Sequence, residues 1–250
     1  PVPAELDDDM ELELVQAADT GKIYIAWDGC HEGWDGSFDL AADIPGAVWT
    51  GPPAAIDLDR AYPVEILAGS RDGRIHAYGT DGSPYPIDKG TSPGSLEVKG
   101  KTVSMPMALQ ADLDPAQEAV FLVSDGDSSW FYLIGYGHAE DLAGDAGGFI
   151  AGDGVFGMFI STGGIVSHPV LIIEESDTEY GGFCALTEGP EGTLSFIHIK
   201  IRQASAGISL TSWSLDGSYE PDCLILPASG DIDGNGADDV VFAIPGTGIC

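Results

Sequence analysis

An acidic, glycine-punctuated loop that recurs along the chain, each time followed by an apolar, strand-like run, points to an all-β fold. Two further observations agree. The loop returns at spacings of 52, 55, 63 and 56 residues, and the 250 residues include 35 Gly and 16 Pro. No amphipathic helix of ten or more residues can be found: 2–13 has no helical stripe, and 139–148 is too rich in glycine. A unit of this length holds about four strands of ~5–6 residues with their turns. Short strands, Gly-rich turns and such a period predict propeller-type repeats with four-stranded blades, in a small closed ring or an incomplete one.

The first copy is Glu5-Leu-Asp7-Asp-Asp9-Met-Glu11-Leu-Glu13. The second, Asp57-Leu-Asp59-Arg-Ala61-Tyr-Pro63-Val-Glu65, aligns with it at an offset of 52 without a gap. The register continues, with Leu14-Val15 over Ile66-Leu67 and Gly21-Lys-Ile23 over Gly73-Arg-Ile75. Each copy reads as acidic loop, apolar strand, glycine turn, second strand and then Asp-Gly, at Asp28-Gly29 and Asp81-Gly82. A third copy is placed at Asp112-Leu-Asp114, running into Ala119–Val123, with Val120 near position 9. A fourth, degenerate copy is placed at Glu175-Ser-Asp177, with Phe183 near position 9, and ends in Leu215-Asp216-Gly217-Ser218.

The fifth copy, Asp231-Ile-Asp233-Gly-Asn235-Gly-Ala237-Asp-Asp239, is the most regular. Side-chain oxygens stand at positions 1, 3, 5 and 9, and the Ala237 carbonyl would add a ligand at position 7. A hard cation such as calcium takes six to eight oxygens at about 2.3–2.6 Å, and alternating residues of a tight loop can aim at one centre. The helix-loop-helix calcium hand needs a Glu at position 12 and a following helix. Here position 12 is Phe242, inside the β-branched run Val240–Ile244, so the loop is expected between strands. The competing reading is a solvated acidic turn without a metal.

These loops resemble the FG-GAP or VCBS type of β-propeller repeat, found in integrin-α-like ectodomains and many secreted bacterial proteins. The Phe-Gly and Gly-Ala-Pro signatures of that family are poorly kept. The resemblance implies that each acidic loop joins the first and second strands of a blade and binds Ca2+. It carries ligand roles over to Asp231, Asp233, Asn235 and Asp239, to Glu5, Asp7, Asp9 and Glu13, and to Asp57, Asp59 and Glu65. Ala61 costs the second copy one ligand, and Val120 and Phe183 leave the third and fourth copies without an oxygen there.

The chain reads as one propeller-type domain, 1–250, and both ends fall inside a repeat, so a longer parent chain or a packing partner is expected. The net charge of −32, from 41 acids and 9 bases, opposes nucleic-acid and anionic-membrane partners. There is no apolar run of the length a membrane-spanning helix needs. An acidic surface and millimolar calcium suit an extracellular setting. Cys30, Cys184, Cys223 and Cys250 form no C-x-x-C pair. They permit either two disulfides, with Cys223–Cys250 preferred, or buried thiols.

Other motifs fail on context. Gly90-Thr-Ser92-Pro-Gly94 matches a nucleophile elbow but leads into a strand-like run, and Gly152-Asp-Gly154-Val-Phe-Gly157 matches a dinucleotide fingerprint without a following helix. His31, His76, His138, His168 and His198 lack partners at zinc spacing. Trp27, Trp34, Trp49, Trp130 and Trp213 either form a ligand platform, centred on 27–36, or fill gaps between sheets. The expected role is a calcium-stabilised binding or scaffolding module for a protein or carbohydrate ligand, with self-assembly as a further option. The alternatives are a secreted polysaccharide-degrading enzyme, for which no catalytic constellation is visible, and a filament or surface-layer subunit.

Overall fold

The computed structural model describes residues 1–6, 12–27, 39–59, 63–87, 94–110, 116–135, 149–152, 155–172, 180–188, 193–202, 207–218, 224–244 and 248–249. All regular structure among them is β-strand, and no helix is long and apolar enough to cross a membrane. The first sheet is β1 (Val2–Ala4), β2 (Glu13–Ala18), β3 (Lys22–Ala26) and β4 (Asp39–Asp43), in sequence order and antiparallel. The second repeats this with β5 (Ala54–Ile56), β6 (Glu65–Gly69), β7 (Arg74–Gly79) and β8 (Ser95–Glu97).

The third sheet has six strands: β9 (Thr102–Val103), β10 (Met107–Leu109), β11 (Glu118–Ser124), β12 (Ser128–Ile134), β13 (Phe149–Gly152) and β14 (Val155–Thr162). Its path is β10-β11-β12-β14-β13, with β9 also pairing β11. The fourth is the meander β15 (Val170–Ile172), β16 (Tyr180–Glu188), β17 (Thr193–Arg202) and β18 (Gly207–Ser218). Two pairs follow, β19 (Ala228–Gly230) with β20 (Asp239–Val241), and β21 (Ala243–Ile244) with β22 (Gly248–Ile249).

The sheets stack in chain order, and each junction holds its own core. Ile23 and Ile25 meet Ile66 and Ala68 between the first and second sheets. Leu67, Ile75 and Ala77 meet Phe121, Val123 and Trp130 between the second and third. Phe131, Leu133 and Phe156 meet Phe183, Ile197 and Ile199 between the third and fourth. Leu186 and Leu194 meet Phe242 beyond it. Sheets covered on both faces have strands buried at every residue, as in β6 and β11, whereas β2 alternates buried and exposed. The first strands β1, β5, β10, β15 and β19 adjoin in that order. Among the described residues no core joins the last strands to the first sheet, and no closed ring is formed.

A proline stands immediately before each first strand: Pro1, Pro53, Pro106, Pro169 and Pro227. Proline has no N–H to donate and suits the entry of a strand. The turns from second to third strand repeat as well. Gly21 and Gly73 both have φ of 79°, and a Cβ on either would sit 2.2 Å from a carbonyl oxygen, that of Ile44 or Gly100. Only glycine fits both constraints.

The second strands of the third and fourth sheets begin at Glu118 and Tyr180, and the acidic stretches expected at 112–114 and 175–177 lie outside the described residues. Glu118 holds the place on β11 that Glu13 and Glu65 hold on β2 and β6, opposite the last residue of the first strand.

Candidate metal centres

Five first strands each lead into a second strand, and the acidic stretches of the first, second and fifth copies lie in that link, between β1 and β2, β5 and β6, and β19 and β20. In four of the five, the first residue of the second strand is an acid: Glu13, Glu65, Glu118 or Asp239. In three loops that acid makes the same bond. The amide of Leu6 donates to Glu13 Oε2 at 2.7 Å, that of Leu58 to Glu65 Oε2 at 2.9 Å, and that of Ile232 to Asp239 Oδ2 at 3.1 Å. The bond ties loop position 2 to position 9 and turns the carboxylate inward over the loop.

Two of the expected ligand sets converge. Asp57, Asp59 and Glu65 place one oxygen each within 4.8 Å of one another, and so do Asp231, Asp233 and Asp239. Two oxygens facing each other across one calcium ion stand about 4.6–5.2 Å apart, twice the bond length. The spacing and the all-oxygen donor set therefore fit a hard divalent cation. Without one, each pair of like charges near 5 Å repels by roughly 1 kcal/mol in water and about 3.5 kcal/mol at an effective dielectric of 20.

In the last loop the backbone already holds the acids. Asp231 Oδ1 accepts from Gly234 N at 2.7 Å and Asn235 N at 3.0 Å, and its Oδ2 accepts from Gly236 N at 2.9 Å. Asp233 Oδ1 accepts from Asn235 N at 3.1 Å, and Asn235 Oδ1 from Ala237 N at 2.8 Å. Gly234 and Gly236, at φ of 75° and 90°, make this curl possible. A carboxylate has about four acceptor directions, so these bonds leave lone pairs for an ion.

The loop 57–64 is more enclosed. Glu65 is buried, Asp57 half-buried and Asp59 exposed. Burial, and after it the charges of Asp59 and Asp57, pushes the Glu65 carboxyl up to about 7 against the opposing Leu58 hydrogen bond. Tyr85, from the segment between β7 and β8, hydrogen-bonds Asp59, and its hydroxyl is pushed up by burial first and by the charge of Glu65 second. From the next unit, Gln117 brackets Asp57: its amide donates to Asp57 O at 2.7 Å, and its Oε1 accepts from Asp57 N at 3.5 Å. Tyr85 and Gln117 were not singled out from sequence, since neither lies in the loop's own stretch.

In the first loop, Glu5 is half-buried and Glu13 fully buried, while Asp7 and Asp9 lie outside the described residues. Ala61 and the acids Asp112, Asp114, Glu175 and Asp177 lie outside them too. So do Cys30, Cys223, Cys250, His31, His138, Trp34 and Ser92. Cys184 is a buried thiol on β16. Gly157 and Met158 lie on strand β14, as expected for a motif that does not open a helix. Trp27, Trp49 and Trp130 pack into the inter-sheet cores, whereas Trp213 is exposed.

One buried polar group invites a catalytic reading and does not support it. The Ser70 hydroxyl donates to Asp72 and lies 3.2 Å from His76 Nε2. The serine sits between acid and histidine, whereas an activated nucleophile needs the histidine in the middle. Ser70 is also fully buried, out of reach of a substrate. No protein-family model matches the chain, and no curated protein matches it.

Proposed function

We propose that the chain is a calcium-ordered, propeller-type module of the FG-GAP or VCBS kind, acting outside the cell as a binding or scaffolding unit rather than as an enzyme. The observation that carries this reading is the convergence of Asp57, Asp59 and Glu65, and of Asp231, Asp233 and Asp239, in loops at the same place in successive sheets. Calcium neutralises the clustered carboxylates and pins the link between first and second strands. The stacked sheets then serve as blades, and their connecting loops present the contacts to a protein or carbohydrate partner. A net charge of −32 keeps such a module soluble and away from nucleic acids and anionic lipids.

Thermal unfolding in calcium and then in a chelator tests the proposal. Chelation lowers the melting temperature, and Asp233→Ala and Asp59→Ala each reproduce part of that loss. Saturating calcium at 100 times its dissociation constant stabilises by about 2.7 kcal/mol per site. Identical melts with and without chelator would remove the structural role of the metal.

A further inference from the structure

A second site lies at the other end of the second strands. β6, β11 and β16 each end beside a cleft of about 420 Å³. Its size falls in the ~300–1,000 Å³ range of small-ligand pockets. Arg71 follows β6, Asp125 follows β11, Glu188 closes β16, and Lys101, Thr50 and Thr102 complete the polar lining.

The charge arrangement is unusual for this chain. Only nine of its residues are Lys or Arg, against 41 acids, yet two of the nine share this cleft. Among the described residues neither Arg71 nor Lys101 makes an ion pair; the ion pairs there join Lys22 to Asp43 and Arg74 to Asp72 and Glu97. Both cations are exposed where they line the cleft.

The rest of the lining offers acceptors. Thr50 already donates its hydroxyl hydrogen to Gly69 O at 3.1 Å, so its oxygen can only accept from a ligand. Asp125 uses Oδ1 to accept from the amides of Asp127 and Ser128 at 3.0 and 2.8 Å, and Oδ2 takes no part in those bonds. Glu188 is half-buried and adds a second carboxylate. Two cations call for an anionic group, and the carboxylates and Thr50 call for hydroxyl donors. They also reject a compact multivalent anion, which would meet Asp125 and Glu188.

We infer that this cleft binds a polyhydroxylated carboxylate, an acidic sugar of the uronate class, with its carboxylate on Arg71 and Lys101 and its hydroxyls donating to Asp125 and Glu188. The inference deepens the proposed binding role and rests on it, but it uses no residue of the acidic loops. At physiological salt, charges beyond about 8 Å are largely screened, so the cleft's own two cations and two carboxylates, rather than the distant acidic surface, decide what it binds.

Calorimetric or NMR titration of the calcium-loaded protein with sodium glucuronate tests it, with glucose and sodium sulfate as controls and a glucuronate-bearing oligosaccharide as a second arm. Glucuronate is expected to bind at millimolar concentrations, glucose and sulfate much more weakly. Tighter binding of the oligosaccharide would assign the natural source to a glycan chain, and equal binding to the free sugar acid. Arg71→Ala and Lys101→Ala, both at exposed positions, each weaken glucuronate binding about tenfold or more, as expected for the loss of a charge-assisted hydrogen bond, and leave the melting temperature unchanged. No glucuronate binding, sulfate binding of equal strength, or binding indifferent to both substitutions would overturn the assignment. A calcium-dependent melt with no glucuronate binding would sink this site and spare the calcium role; a calcium-independent melt would do the reverse.

Discussion

Burial at single residues decides the protonation behaviour of this protein. His76 and His168 are each 2% exposed, and desolvation lowers both from 6.5 to about 4. The His76 ring packs edge-on against Trp49 at 5.3 Å, and His168 accepts the Met105 amide on Nδ1 at 2.9 Å. Both rings are therefore neutral in the folded chain at neutral pH. A depressed folded value means that the unfolded state takes up protons first. Their contribution to stability is intact above about 6.5 and is lost as the pH falls toward 4. Urea unfolding at pH 7, 5.5 and 4.5 in saturating calcium is expected to show a falling midpoint. The pH slope should lessen in His168→Gln, whose amide can still accept from Met105. An unaltered slope in that variant would show that the histidine does not drive the loss.

At the scale of elements, the sheet stack assigns different energies to matching positions. Leu14 and Ile66 hold the same place on β2 and β6, yet Leu14 is 44% exposed and Ile66 fully buried, because among the described residues the second sheet is packed on both faces and the first on one. Ile66→Ala is expected to cost about 2–5 kcal/mol by cavity formation, and Leu14→Ala about 1 kcal/mol or less. Denaturant melts of the two variants check this, and equal losses would contradict the stacking order. The sequence made the loops at 57 and 231 readable, because alternate residues carry the acids and the β-branched run after Asp239 excludes a helix. The acidic stretches placed at 112–114 and 175–177 lie outside the described residues. The prolines mark where the first strands begin, and Ser104-Met-Pro106 and Ser167-His-Pro169 repeat as a pair. Ser104 and Ser167 accept from the Leu122 and Leu186 amides at 2.9 and 2.8 Å, so the two motifs hold matching places in the third and fourth sheets. Tyr85 and Gln117 had no sequence signal, since each reaches the loop at 57–64 from another segment.

For the molecule as a whole, the successive cores explain how a chain with 41 acids holds together. The apolar cores lie between sheets, and the buried acids Glu13, Glu65 and Glu118 stand where the second strands begin. Self-repulsion concentrates where the fold brings carboxylates together, at the links between first and second strands. The central claim is that divalent cations resolve that repulsion. Diffraction from crystals grown in calcium tests it most directly. The account predicts an ion between Asp57, Asp59 and Glu65, and another between Asp231, Asp233 and Asp239, each held by six to eight oxygens at about 2.3–2.6 Å. Carboxylates splayed apart around water at both loops, in crystals saturated with calcium, would contradict it.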